Sequence, residues 1–330
     1  MERGKVLVTG APGWLGNRFI EILKDNKRDV ICLVLPGMNS DYLKKLGAEI
    51  VEGDITNPET LKGVCKGIDT VFHIAGLVHV PFSKGSLFMK VNYEGTKNIL
   101  DEAIGSKAKR FVYISSNSAV GTNERRDIMM DEKTKPNPYM NYGKSKIMAE
   151  NAVNEAHKKG LIETVILRPC WYYGPGQPAR QTRLMKMIIE GKAPVFGDGK
   201  NLRSMTYIDN LCDAMLLSES VKKANGETYW IADDKPYTTL EIYQAIADLL
   251  GVELKTKKFP GFLADVAKTA DGLIQAFGLY QIEAHVAGEM NKDIACTIEK
   301  ARKELGYRPK IYLEEGMKRS IDWAKKNGQL

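Results

Sequence analysis

The sequence predicts an α/β fold in which helices cover both faces of a doubly wound parallel sheet. Over the first 120 residues, short and wholly apolar runs alternate with segments of helical periodicity, which is typical of parallel strands buried on both sides. The composition is that of a globular protein, with 43% hydrophobic and 27% charged residues in 330. We expect two domains, residues 1–168 and residues 169–330, with some later segments returning to the first.

Each expected strand of the first domain is an apolar run. The runs are Lys5–Thr9, Val30–Val34, Thr70–Ile74 and Arg110–Ile114. A long helical pattern, Phe88–Ala103, lies between the last two. After about Arg168 glycine and proline punctuate the chain and helical patterns predominate, so we expect a smaller, mostly helical domain that binds substrate. The helical patterns there are 184–190, 209–220, 240–250, 260–277 and 297–305.

Charge and cysteine content exclude several classes of protein. Lys and Arg total 48 and Asp and Glu 41, a surplus of 7 that is scattered along the chain. Such a surplus suits an anionic cofactor or substrate but is too small and dispersed to indicate nucleic-acid binding. The five cysteines have no metal-binding spacing, so we expect no metal and reduced thiols in the cytoplasm. No signal peptide and no membrane-spanning segment are expected.

A glycine-rich turn follows the first expected strand. Gly10, Gly13 and Gly16 have the spacing G-x-x-G-x-x-G, and a helix begins near Trp14 and Leu15. Residues without a Cβ let the backbone approach a pyrophosphate, and the start of the helix offers free N–H groups. In this context the turn predicts a binding site for a dinucleotide cofactor.

Two further strand ends are candidates for the same site, because ligands bind at the carboxyl ends of parallel strands. Asp54, followed by Ile55, can hydrogen-bond an adenine amino group, or it can cap the helix that follows. Ala75 and Gly76 are small enough to let the backbone pass close to the cofactor. His73, just before them, is interpreted as a packed histidine without a chemical role.

The candidate catalytic pair is Tyr142 and Lys146, which a spacing of four places on one face of a helix. A nearby ammonium favours the phenolate and lowers the tyrosine pKa from about 10, so that Tyr142 can exchange a proton near neutral pH. A serine of the run 115–118, directly after the Arg110–Ile114 strand, can hold a substrate oxygen against the tyrosine. Alternatively, these serines only bond the backbone of their own turn.

Taken together, these motifs and Leu167-Arg168-Pro169 resemble the extended short-chain dehydrogenase/reductases over nearly the whole chain. Within them the chain is most similar to the branch of 3β-hydroxysteroid dehydrogenases, sterol-4-carboxylate 3-dehydrogenases and dihydroflavonol reductases. The resemblance implies a Rossmann-type fold, with Pro169 among the cofactor contacts. It also implies hydride transfer between a substrate carbinol carbon and nicotinamide C4.

The same resemblance assigns roles to the catalytic residues. Tyr142 is expected as general acid/base, and Lys146 as the group that lowers its pKa and binds the cofactor ribose. Ser116 is expected to orient the substrate, with Ser115 as the alternative. Asn92, within a helical pattern, either supports the site through a backbone hydrogen bond or is purely structural.

Departures from the family pattern narrow the reaction and the cofactor. Some dehydratases of this family carry an acidic pair at the positions of Asn117 and Ser118, so the sequence argues against sugar dehydration. At the end of the second strand, Val34 and Leu35 offer neither an acid for the ribose hydroxyl nor an arginine for a 2′-phosphate. We therefore expect NAD or NADP, with a preference for NAD.

The substrate residues point to a hydrophobic alcohol or ketone, similar to a steroid, sterol or flavonoid. Trp171 stands where sugar-nucleotide enzymes place an asparagine, and we expect it to line the pocket with Tyr173 and Ser118. Arg203 resembles an arginine that grips diphosphates, which keeps a nucleotide-sugar 4-epimerase as the alternative. A non-catalytic NAD(P)-binding regulatory protein is the third hypothesis, against which the retained Tyr142 and Lys146 argue.

The segment 259–281 carries apolar residues at helical spacing. We interpret it as a core-facing or lid helix, or alternatively as a hydrophobic substrate mouth or a peripheral contact with a membrane. Asp265, Lys268 and Asp271 exclude a membrane span and favour a soluble helix. We also expect a homodimer that acts on a small-molecule substrate.

Overall fold

A computed structural model of the chain describes residues 4–82 and 84–330. Its centre is a parallel sheet of seven strands in the order β11-β6-β5-β4-β1-β2-β3. The strands of this sheet have the following bounds: β1 Val6–Thr9, β2 Val30–Val34, β3 Glu49–Glu52, β4 Thr70–His73, β5 Arg110–Ile114, β6 Glu163–Pro169 and β11 Glu227–Ile231. The predicted doubly wound α/β fold is confirmed.

The remaining elements are helices and short strands. The helices are α1 Trp14–Asp25, α2 Asp41–Lys45, α3 Gly95–Gly105, α4 Met140–Lys158, α5 Ala179–Ile189, α6 Ile208–Ser220, α7 Thr239–Leu250, α8 Phe262–Ala276, α9 Ile282–Glu289 and α10 Leu313–Lys326. The short strands are β7 Trp171–Tyr173, β8 Ala193–Phe196, β9 Leu202–Arg203, β10 Met205–Tyr207, β12 Tyr237–Thr238 and β13 Thr256–Phe259. A wide helical turn, Phe88–Glu94, leads into α3, and Ala301–Leu305 is a second such turn.

Side-chain alternation along the strands explains why helices cover both faces. Val6 and Val8 belong to the apolar cluster that includes α1 and α6, whereas Leu7 belongs to the cluster that includes α3 and α4. Because successive strand residues point to opposite faces, a strand that is apolar throughout needs cover on both sides. This arrangement brings the loops after β1, β4 and β5 to one end of the sheet.

The second half of the chain contains more strands than its sequence indicates. Seven strands follow Arg168 in the described residues, and all but β11 form two-stranded pairs. Strands of two to four residues carry too few apolar positions to show a pattern of their own, which is why the sequence predicts mainly helices here. β11 returns to the central sheet beside β6, and the division at residue 168 stays a prediction.

The apolar face of helix α8 points to solvent, so the interpretation of this segment as a core-facing helix is wrong. Phe262, Leu273 and Phe277 are 62%, 61% and 81% exposed, while Asp271 and Gln275 on the other side are buried. The apolar stripe thus lies at the surface, where it borders an open groove of about 520 Å³. Among the described residues no helix combines the length and apolar character needed to cross a bilayer. In the same residues, no three His, Cys, Asp or Glu side chains come together as a metal site would require.

Candidate active site

The glycine turn between β1 and α1 is packed too closely for side chains. Gly10 has φ +87°, and the Gly13 N–H donates to the Gly10 carbonyl oxygen at 3.0 Å. A Cβ at Gly13 or Gly16 would lie 2.6 Å from that same oxygen, closer than real Cβ atoms approach. Helix α1 then begins at Trp14, with Leu15 buried behind it and no side chain capping its first N–H groups. The turn therefore presents free backbone donors of the kind that bind phosphate.

The loop after β4 lies directly against this turn. The Thr9 hydroxyl accepts a hydrogen bond from the Ala75 N–H at 3.1 Å, and a Cβ at Gly10 would lie 2.6 Å from the Ala75 nitrogen. A Cβ at Gly76 would lie 3.9 Å from Nζ of Lys146. The glycine turn, residues 75–76 and Lys146 consequently share one end of the sheet.

Asn92 and His73 take the positions that their sequence contexts suggest. Asn92 is buried and bonds both backbone groups of Leu77, accepting from its N–H at 2.7 Å and donating to its carbonyl at 2.9 Å. It thereby fixes the loop after Gly76, as the supporting role requires. His73 is fully buried between the hydroxyls of Thr9 and Thr96, at 2.8 and 2.9 Å, and burial lowers its pKa to about 3.

Asp54 is half-buried at the carboxyl end of β3. Its Oδ1 accepts from the Thr56 N–H at 2.8 Å, and the next helical turn is capped by Asn57 rather than by Asp54. The capping alternative is therefore wrong, while the adenine contact of Asp54 and Ile55 stays a prediction. Leu35, at the end of β2, is 47% exposed and brings no charge to the position where a ribose would be recognised.

Gly143 lets the catalytic helix approach the serine turn. A Cβ at Gly143 would overlap the Ser118 carbonyl oxygen, and that oxygen also accepts from the Tyr139 N–H at 3.2 Å. Ser116 caps the turn that follows β5, with its Oγ accepting from the Ser118 N–H at 3.2 Å. Helix α4 is thus held against this turn, and the Ser116 hydroxyl interacts with the phenol of Tyr142. Sequence reasoning missed Gly143, although a glycine inside a helical pattern signals a close backbone approach.

Ser115 points away from this pair. Its Oγ donates to Glu150 Oε1 at 2.5 Å. Glu150 in turn accepts from Arg168, with Nε–Oε1 and Nη2–Oε2 distances of 3.0 and 2.6 Å. All three groups are buried behind the site. Because Ser115 is committed to Glu150, its arrangement supports Ser116 as the serine that faces substrate.

The tyrosine pKa expected from the Tyr142–Lys146 spacing is not what the structure shows. Burial raises the pKa of Tyr142 to about 12, and the Ser116 hydroxyl offsets only part of this effect. Lys146 Nζ is turned to the strand end, where it donates to the Ile114 carbonyl at 2.7 Å and lies 4.4 Å from the ring centre of Tyr113. Burial lowers the pKa of Lys146 to about 7, although the Glu150 charge acts against this. A shared helix face brings the two residues together, but low polarity disfavours the charged form of each.

Aromatic groups that sequence reasoning did not identify surround Tyr142. The ring centre of Phe88 lies 5.9 Å from that of Tyr142 and 5.1 Å from that of Tyr280. On the other side Tyr172 packs on Trp14 at 4.9 Å, and it is a neighbour of Tyr142 as well. Tyr172 could have been found from the alternation of a strand, whereas Tyr280 comes from a distant loop and has no sequence signal.

Trp171 and Tyr173, which are expected to bind substrate, do not share the position of Tyr172. Alternation along β7 places Trp171 and Tyr173 on the opposite face from Tyr172, where they line a small cavity of about 10 Å³. The Trp171 indole donates to Gln181 Oε1 at 2.9 Å. Ser118 is buried in its turn, and the substrate roles of these three residues stay predictions.

Arg203 is not open to a ligand in this structure. Its Nη2 donates to the Glu289 carbonyl oxygen at 2.5 Å, and burial lowers its pKa. An arginine held in this way cannot offer its planar edge to a diphosphate without first leaving that carbonyl.

The chain is similar to known proteins in both sequence and fold. The sequence model of the 3-beta hydroxysteroid dehydrogenase/isomerase family matches residues 7–261. The protein y4nL of Sinorhizobium fredii is 40% identical, covering 98% of this chain and 96% of its own. The 2-alkyl-3-oxoalkanoate reductase of Shewanella oneidensis is 29% identical, covering 94% and 84%. Among solved structures, UDP-glucuronic acid 4-epimerase from Bacillus cereus, with UDP-glucuronic acid and NAD, has a TM-score of 0.77 at 24% identity, covering 98% and 99%.

Proposed function

Since the chain belongs to the 3-beta hydroxysteroid dehydrogenase/isomerase family, among the extended short-chain dehydrogenase/reductases, we propose that it interconverts a secondary alcohol and a ketone on an apolar substrate. It is an enzyme of the dehydrogenase/reductase class that acts on CH–OH groups with NAD(P). The observation that carries the substrate class is the position of Tyr142, whose hydroxyl interacts with that of Ser116 and whose ring lies 5.9 Å from that of Phe88. Such surroundings suit a hydrophobic carbon skeleton better than a sugar.

The residues at the end of the sheet fit a nicotinamide dinucleotide. The close packing of Gly10, Gly13 and Gly16 and the absence of a side-chain cap leave backbone N–H groups as donors at the start of α1, as a pyrophosphate requires. Lys146 and the 75–76 loop lie beside the turn, where the nicotinamide ribose would be held. When bound, the cofactor supplies or accepts the hydride. Because Leu35 brings no positive charge, NAD is used at least as well as NADP.

Proton transfer is the part of the reaction that belongs to the protein. Ser116 donates a hydrogen bond to the substrate oxygen and holds it against the phenol of Tyr142. During oxidation Tyr142 takes the hydroxyl proton, and during reduction it returns a proton to the carbonyl oxygen. The positive charge of Lys146, which the buried Glu150 favours against the effect of burial, stabilises the phenolate.

The alternative functions have weaker support. A nucleotide-sugar 4-epimerase is favoured by structural neighbours of that activity, but at 24% identity these share the fold alone, and Arg203 is occupied by a backbone carbonyl. A non-catalytic NAD(P)-binding protein does not need the Ser116–Tyr142–Lys146 arrangement that the chain retains. The homodimer, the cytoplasmic location and a peripheral membrane contact through the exposed stripe of α8 remain predictions.

A substrate panel tests the proposal. Steroid alcohols, dihydroflavonols, 3-hydroxy acids with and without a 2-alkyl chain, simple secondary alcohols and nucleotide sugars are each assayed with NAD and NADP. We expect reduced cofactor to form with at least one apolar alcohol and with no nucleotide sugar. Epimerisation of a nucleotide sugar, with no net cofactor reduction by any alcohol, would reverse the assignment.

A further inference from the structure

The first turn of helix α5 carries positive charge where a helix does not favour it. Arg180 and Arg183 both lie near the start of the helix, and the first turn contains no acid. Because the helix N-terminus is itself positive, cations there are unfavourable, so these arginines do not serve helix stability. Arg183 faces Glu283 of α9, with an Nη1–Oε1 distance of 3.6 Å. Arg180 is exposed and has no ion pair or side-chain hydrogen bond with any residue that the structure describes.

The start of α5 lies at the edge of the candidate active site. The loop before it packs on Trp14, whose indole donates to the Pro175 carbonyl at 2.7 Å. A Cβ at Gly176 would lie 3.1 Å from the Trp14 ring. Trp14 in turn stacks on Tyr172, one of the aromatic neighbours of Tyr142. The helix therefore starts only a few residues along the chain from a side chain that lines the site.

The charge of Arg180 acts on the groups of that site. Burial raises the pKa of Tyr142, Tyr172 and Tyr280, and the Arg180 charge works against this in each case. Burial lowers the pKa of His79, and the same charge lowers it further. Geometry gives the same direction, because a spacing of three places Arg180 beside Arg183 on one face of α5, and Arg183 faces Glu283, three residues after Tyr280. His79 Nδ1 lies 2.6 Å from the Tyr280 hydroxyl, and Phe88 packs between the rings of Tyr280 and Tyr142.

We propose that Arg180 binds a carboxylate of the substrate, so that the enzyme acts on hydroxy acids or oxo acids with an apolar chain. This inference rests on the proposed function and specifies its substrate class. The guanidinium fork matches a carboxylate with two parallel hydrogen bonds, and it has no competing partner among the described residues. The aromatic rings of Phe88, Tyr142 and Tyr280 provide the apolar surface for the rest of the molecule.

Matched pairs of substrate with and without the charge test this assignment. The oxidation of 3-hydroxydecanoate and of its methyl ester is followed through the formation of reduced cofactor, in the wild type and in Arg180→Ala, Arg180→Lys and Arg183→Ala. A charge-assisted hydrogen bond to a ligand corresponds to about a 10- to 100-fold change, so Arg180→Ala should lower kcat/KM for the acid by this factor. The ester should change less than about threefold, because it offers no charge to lose. Arg180→Lys should restore part of the acid activity, and Arg183→Ala should leave the acid-to-ester ratio unchanged.

Three results would overturn the inference. An equal loss of acid and ester oxidation in Arg180→Ala would mean that the residue supports the fold or the chemistry, and a thermal unfolding measurement would separate these two cases. A higher KM for the cofactor in Arg180→Ala, with an unchanged acid-to-ester ratio, would assign the guanidinium to the cofactor diphosphate. A wild type that oxidises the ester as well as the acid would show that no carboxylate is recognised, although the proposed function would stand. Inactivity toward every alcohol of the panel would instead refute the proposed function itself.

Discussion

Replacing Glu150 by glutamine removes one charge from the buried pair behind the catalytic residues. The side chain of Glu150 is 1% exposed, and it bonds both the Arg168 guanidinium and the Ser115 hydroxyl. Arg168 Nη1 already lacks a partner in the structure, so the guanidinium depends on Glu150 for its compensation. Glutamine keeps the shape and one acceptor oxygen but leaves the positive charge of Arg168 buried and unpaired.

The expected loss of stability follows from that burial. Removing one partner of a buried ion pair costs about 3–5 kcal/mol, and the oxygen that glutamine retains places this variant near 3 kcal/mol. At about 2 °C per kcal/mol for a large chain, the unfolding midpoint should fall by about 6 °C. Glu155→Gln is the matched control, because Glu155 lies on the same helix in an exposed pair with Lys158. Exposed pairs contribute about 0–1 kcal/mol, so its midpoint should move by no more than about 2 °C.

The same variant changes the protonation of Lys146. Burial lowers the pKa of Lys146 to about 7, and Glu150 is the charge that opposes this. Without the Glu150 charge, Lys146 loses its proton at a lower pH. If the reaction needs charged Lys146, the decline of activity at high pH should therefore begin at a lower pH in the variant. The profile of kcat/KM against pH measures this in the free enzyme. An unfolding midpoint equal to that of Glu155→Gln, together with an unshifted profile, would refute both the energetic and the electrostatic reasoning.

Three other substitutions test the remaining parts of the site. Tyr142→Phe should lower kcat by at least about 100-fold, because general acid–base catalysis is lost. Its affinity for NAD, measured by titration, should stay near that of the wild type, and a variant with most of its kcat would place the proton donor elsewhere. Leu35→Arg should shift the ratio of kcat/KM with NADP to kcat/KM with NAD toward NADP by about tenfold, since an arginine at the end of β2 can bond a 2′-phosphate. An unchanged ratio would show that the ribose is recognised from another strand. UDP should not bind the wild type in calorimetry, whereas micromolar binding that disappears in Arg203→Ala would favour the epimerase.

Sequence reasoning reached the residues whose roles depend on the backbone or on helical spacing. The spacing of Gly10, Gly13 and Gly16 predicts the tight turn because only glycine fits there, and the four-residue interval predicts that Tyr142 and Lys146 share a helix face. What it could not predict is the environment of these groups. The sign of the pKa shifts depends on how deeply the side chains are buried and on which carbonyl Lys146 contacts, and neither property is local in sequence.

Contacts between distant segments account for most of the missed residues. Phe88 and Tyr280 meet at 5.1 Å although 192 residues separate them, and no periodic pattern in either segment indicates the contact. Arg180 is a comparable case, since an arginine at the start of a helix is usually a solvated side chain. Its place at the edge of the site follows from the loop that packs on Trp14 and from the Arg183–Glu283 pair, which only the folded chain shows.

Helix α8 shows why periodicity identifies a helix face but not the side on which it is buried. Its polar residues have partners inside the protein: Asp271 Oδ1 accepts from Gln275 Nε2 at 2.8 Å, and Asp271 Oδ2 lies 2.9 Å from His285 Nδ1 of α9. Gln275 Oε1 also accepts from the Asn141 N–H at 2.9 Å, one residue before Tyr142 in helix α4. Burying these groups costs little because each is hydrogen-bonded, whereas turning the apolar stripe inward would leave Asn141 without this acceptor. The polar face of α8 therefore helps to fix the start of the catalytic helix, and the apolar face is left at the surface.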